Sequence, residues 1–62
     1  MNKPRCKLIG KDGNVFNIIG LVRNALRNAG QLEQAREFVI ESLSCGSYDK
    51  VLVLAKKYVE VE

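Results

Sequence analysis

Asp12 to Gly30 reads DGNVFNIIGLVRNALRNAG. It combines a turn, one amphipathic helix and a glycine stop, and the rest of the chain is organised around it. Val15, Ile18, Ile19, Val22, Ala25, Leu26 and Ala29 recur at helical spacing and define one apolar stripe. Gly13 tolerates the positive φ of a turn, and Asn14 is a residue type that caps a helix. Gly30 suits the left-handed position just past the last turn. The reading predicts a helix over Val15–Ala29 whose polar side carries Asn17, Arg23, Asn24, Arg27 and Asn28. Phe16 falls among those polar positions, in one line with Gly20, Arg23 and Arg27.

Before this block, RCKLI (Arg5–Ile9) follows Pro4, a residue that cannot donate to a strand ladder and fits a strand start. Cys6 and Leu8 alternate with Arg5, Lys7 and Ile9, as in a short half-buried strand. Lys11-Asp12-Gly13-Asn14 forms the turn into the helix. After the block, a second helix is predicted from Leu32 to Ser44, with Leu32, Ala35, Phe38, Val39 and Leu43 inward and Gly46 as its stop. Ser47 caps a third helix, Tyr48–Lys57, with Asp49 placed favourably against the helix dipole. That helix is expected to bury Tyr48, Val51, Leu52, Leu54 and Ala55. The closing YVEVE alternates again, Val59 and Val61 facing one way and Glu60 and Glu62 the other.

The expected fold class is α+β, a β-α-α-α-β domain of three short helices and a two-stranded antiparallel ribbon formed by the chain termini. Helices running up, down and up favour the antiparallel direction. Arg5 and Lys7 would then face Glu60 and Glu62, each pair contributing a few tenths of a kcal/mol. The 62 residues make a single compact domain with residues 1–4 expected to be disordered. A core this small rarely supplies more than about 3–5 kcal/mol of net stability.

Net charge is +3, from ten basic and seven acidic residues. Lys3, Arg5, Lys7 and Lys11 crowd the N-terminal segment and Arg23 and Arg27 follow, whereas Glu33, Glu37 and Glu41 line the second helix. The longest apolar run, Val51 to Ala55, is far short of the roughly 20 residues of a membrane helix. MNKPRCKLIG lacks the apolar core of a secretory leader. The expected compartment is the cytosol, where Cys6 and Cys45 serve as small side chains without a disulfide.

The chain contains no histidine, so Ser/His/Asp and Cys/His nucleophilic arrangements are ruled out. Two isolated cysteines cannot close a zinc site. Asp12-Gly13-Asn14 has one carboxylate and one glycine, too few for a calcium or phosphate loop. Glu33, Glu37 and Glu41 form a solvated stripe without the pocket that acid–base carboxylates need. No enzyme activity, cofactor or metal is expected.

DGNVFNIIGLVRNALRNAG, the EF near the middle of the second helix, SYDKVL and the terminal KYVEVE together resemble a family of very small bacterial proteins carried in mobile or prophage-like DNA. The shared pattern is DGNxFxIxGxV, then ALxxAG, a YD pair and an aromatic-Val-acidic-Val ending, covering Lys7 to Glu62. This chain departs from it in the short Gly30-Gln31 connection between the first two helices. The resemblance implies a compact α+β fold and a bacterial origin, and no activity.

The functional expectation is a non-catalytic, protein-binding accessory module acting through helix one or the ribbon edge. Its candidate contacts are Phe16, Gly20, Arg23 and Arg27. A glycine within a helix costs about 0.5–1 kcal/mol relative to alanine, so something should approach Gly20. Either the terminal ribbon covers Phe16 and Gly20, or a partner does. The alternative is weak nucleic-acid binding through Lys3, Arg5, Lys7, Arg23 and Arg27. A third reading is a structural homodimer, or a monomer weakly self-associating, with Ile40 and Val53 at its interface.

Overall fold

The computed structural model describes residues 3–8 and 14–62. The predicted turn Lys11-Asp12-Gly13 and the strand residue Ile9 lie outside the described residues. The elements follow in the order β1 (Arg5–Cys6), α1 (Val15–Asn28), α2 (Leu32–Cys45), α3 (Tyr48–Tyr58) and β2 (Glu60–Val61).

Local chemistry sets the helix boundaries. The Asn14 side chain accepts from the Phe16 N–H at 2.8 Å and caps α1. At the other end, Gly30 takes φ +78°. Its N–H donates to the Arg27 carbonyl, and Gln31 N–H donates to that of Leu26, so the left-handed turn satisfies carbonyls the helix leaves open. Gly46 (φ +80°) ends α2, and Ser47 Oγ accepts from Lys50 N–H to start α3.

The core is a single cluster. Ile18, Ile19, Val22 and Leu26 of α1 meet Ala35 and Phe38 of α2 and Val51, Leu54 and Ala55 of α3, closed by Cys6, Leu8 and Val59. Phe38 is fully buried and stacks edge-on against Tyr58 at 5.5 Å between ring centroids. Val15 and Ala25 are half-buried, and Ala29, predicted inward, is exposed at the C-cap. Tyr48 and Leu52 are half-buried. Tyr58, read from sequence as part of the terminal strand, is the last residue of α3.

In α2 the inward face differs from the predicted one. Ala35, Phe38 and Ser42 point inward with Cys45 half-buried, while Leu32 and Leu43 are 63% and 65% exposed. The helix carries more apolar arc than a core this size can cover. Its rotation is set by the bulky Phe38, and Ser42, i+4 from it, is drawn inward.

The antiparallel ribbon is corrected. β1 and β2 run parallel, with Arg5 opposite Glu60 and Cys6 opposite Val61, and each contributes only two residues to a largely helical molecule. The physical reason is that the direction depends on how the chain enters α1 and leaves α3, which an up, down, up count of the helices omits. Val59 leaves α3 in extended conformation and β2 follows at once. The ladder is short but complete: Glu60 N–H donates to the Pro4 carbonyl, Glu62 N–H to that of Cys6, and Leu8 N–H to that of Glu62. Lys3 Nζ donates to the Lys56 carbonyl at the end of α3, so Lys3 and Pro4, from the stretch expected to be disordered, both have defined partners.

Candidate interaction face between the first two helices

The packing that buries one side of α1 leaves the line Phe16, Gly20, Arg23 and Arg27 uncovered. Phe16 is 70% exposed, and a Cβ placed on Gly20 would meet nothing within 4 Å. The ribbon lies instead along the opposite flank of α1, beside Leu21, Asn24, Ala25 and Asn28. Coverage of Phe16 and Gly20 by the ribbon is therefore not observed.

What the line faces is the unburied apolar flank of α2. Arg23 and Arg27 border a cleft of about 430 Å³ whose other wall is Leu32, Arg36, Val39 and Ile40. Further along the same seam, Phe16 and Leu43 flank a second hollow of about 250 Å³ that reaches Ser42 and Tyr48. Of the five large apolar side chains exposed among the described residues, Phe16, Leu32, Ile40 and Leu43 lie along this seam; Val53 is the fifth. Helical spacing in α2 predicts Leu32 and Leu43 in the core, whereas their exposure supplies half of this face.

Charge reinforces the arrangement. Arg23, Arg27 and Arg36 are exposed on the seam, and none forms an ion pair among the described residues. Among the described residues, the hydrogen-bond partner of the Arg23 guanidinium is Asn24 Oδ1, at a long 3.4 Å. Glu33, Glu37 and Glu41 occupy the exposed side of α2 away from α1, and Glu41 accepts from the Tyr58 hydroxyl. That bond, with burial and the charges of Glu41 and Glu37 behind it, pushes the Tyr58 phenol up to about 12. Ser42 is buried, and its Oγ meets no hydrogen-bond partner among the described residues.

The five basic residues of the nucleic-acid alternative do not converge. Lys3 is held on the α3 carboxyl end and Arg5 pairs with Glu62 at 3.7 Å. Arg5 and Lys7 border the ribbon flank of α1, whereas Arg23 and Arg27 face α2. Ile40 and Val53 are likewise on separate surfaces. Ile40 lines the seam, and Val53 points outward on α3, opposite the buried Val51 and Ala55.

Cys6 is buried and Cys45 half-buried, both as free thiols, and burial raises the Cys6 thiol above its ordinary value. Among the described residues no three His, Cys, Asp or Glu side chains are grouped as a metal site, and no helix is long and apolar enough to cross a membrane. No protein-family model, curated protein or solved structure gives a significant match to the chain.

Proposed function

We propose that this protein is a non-catalytic interaction module, a cytosolic accessory protein whose α1–α2 seam receives an amphipathic helix from a partner protein. Four of its exposed large apolar side chains gather on one seam flanked by three arginines, and that gathering carries the reading. Isolated exposed apolar residues are ordinary on a surface, whereas a contiguous apolar face rimmed by charge marks a binding site. A groove between two helices fits the apolar stripe of a third. Arginine at the rim selects carboxylates by planar, two-pronged hydrogen bonding, so the partner helix would carry acidic residues beside its apolar stripe. Gly20 lies in the line of α1 that the incoming helix would cross, and its missing side chain permits close approach.

Affinity capture from cells of the source, using the wild type, the Arg23→Ala, Arg27→Ala pair and Ile40→Asp, tests this. The expected result is one discrete protein held by the wild type and held more weakly by both variants. Added salt should weaken capture modestly, because the apolar contacts persist while the arginine–carboxylate pairs are screened. Capture that falls steeply with salt and disappears on nuclease treatment would transfer the reading to nucleic acid.

A further inference from the structure

The opposite flank of α1 carries a second surface, defined by backbone. In the parallel ladder, β1 spends the backbone groups of Pro4, Cys6 and Leu8 on β2. Arg5 and Lys7 enter none of these bonds, because successive residues of a strand direct their N–H and C=O to opposite edges. Among the described residues their backbone groups have no partner and form an open strand edge. Beside it runs an open cleft of about 570 Å³, with Arg5 and Lys7 on one side and Leu21, Ala25, Asn28 and Ala29 of α1 on the other.

We propose that this edge is a strand-addition site for an extended segment of a partner protein in which apolar and acidic residues alternate. β2 supplies the template, since it already fills the other edge of β1 with that pattern. Val59 and Val61 turn inward, Glu60 and Glu62 turn outward, and Glu62 lies 3.7 Å from Arg5. A third strand would place its inward side chains on Leu21 and Ala25 and its carboxylates beside Arg5 and Lys7. Backbone hydrogen bonds to Arg5 and Lys7 would supply affinity, and the alternation would supply specificity. The basic edge opposes pairing with the same edge of a second copy, because like charges meet across the strands. Addition of a second copy through its β2 would be head-to-tail and would not close, so it would yield open polymers. The site is independent of the α1–α2 seam.

The test is a titration of isotope-labelled protein with a synthetic octapeptide alternating valine and glutamate, followed by NMR, with a valine–lysine octapeptide as control. Saturable binding is expected for the glutamate peptide alone, with shifts at Arg5, Lys7, Leu21 and Ala25 and slowed exchange of the Arg5 and Lys7 amides. Lys7→Pro removes an edge donor that β2 does not use, and should weaken binding about tenfold or more. If that variant does not fold, Lys7→Glu keeps the backbone intact and should weaken the glutamate peptide to a similar extent. Four results would overturn the proposal: no saturable binding, equal binding of the lysine peptide, shifts centred on Arg23 and Ile40, or sedimentation showing that the peptide-free protein already polymerises through this edge.

Discussion

Tyr58 shows how a single side chain ties elements together. Its ring packs edge-on against the fully buried Phe38 of α2, and its hydroxyl donates to Glu41 one turn further along the same helix. The carboxylate favours the protonated phenol, which is why the group is pushed up to about 12 from 10.0. Because the folded value lies above the unfolded one, the contribution to stability is fully present below about pH 10 and is lost as pH rises toward 12. Tyrosinate absorbance should therefore resolve one tyrosine titrating near 12, and Glu41→Gln should move it down toward 10. A Tyr58 titration unaffected by Glu41→Gln would remove the carboxylate as its cause. Neither partner was legible as such in the sequence: Tyr58 stands at the junction of helical and alternating patterns, and Glu41 reads only as one member of a solvated stripe.

At the scale of elements, caps were the most legible features, because each depends on a few adjacent residues. Asn14, Gly30, Gly46 and Ser47 all act where the sequence predicts a start or a stop. Two glycines with opposite roles make this testable. Gly46 holds φ +80°, so Gly46→Ala should destabilise by about 1–2 kcal/mol, the cost of a side chain in left-handed conformation. Gly20 is in ordinary helix with open space around its Cβ position, so Gly20→Ala should stabilise by about 0.5–1 kcal/mol. Denaturant midpoints that shift the same way for both would refute the distinction. The face of α2 was less legible, for a physical reason. Leu32, Ala35, Phe38, Val39 and Leu43 span a wide arc, and apolarity alone does not say which part of it a small core will take. The three-dimensional packing around Phe38 selects Ala35 and Ser42 and leaves Leu32 and Leu43 outside.

At the scale of the whole molecule, the direction of the strand pair depends on every connection between the strands, so a count of the helices alone does not settle it. The same non-local character hid half of the candidate face. Phe16, Gly20, Arg23 and Arg27 stand out on one helix, but their counterparts Leu32, Ile40 and Leu43 become a face only when α2 is rotated and laid beside α1. If this seam binds protein, as proposed, two residues provide a matched comparison. Ile40 and Val53 are 59% and 62% exposed on neighbouring helices, one on the seam and one off it. A photoreactive phenylalanine analogue placed at each position in turn, and irradiated in cells of the source, measures the claim directly. One discrete protein adduct is expected from position 40 and none from position 53. Equal adducts from both positions, or crosslinks from position 40 to nucleic acid alone, would contradict it.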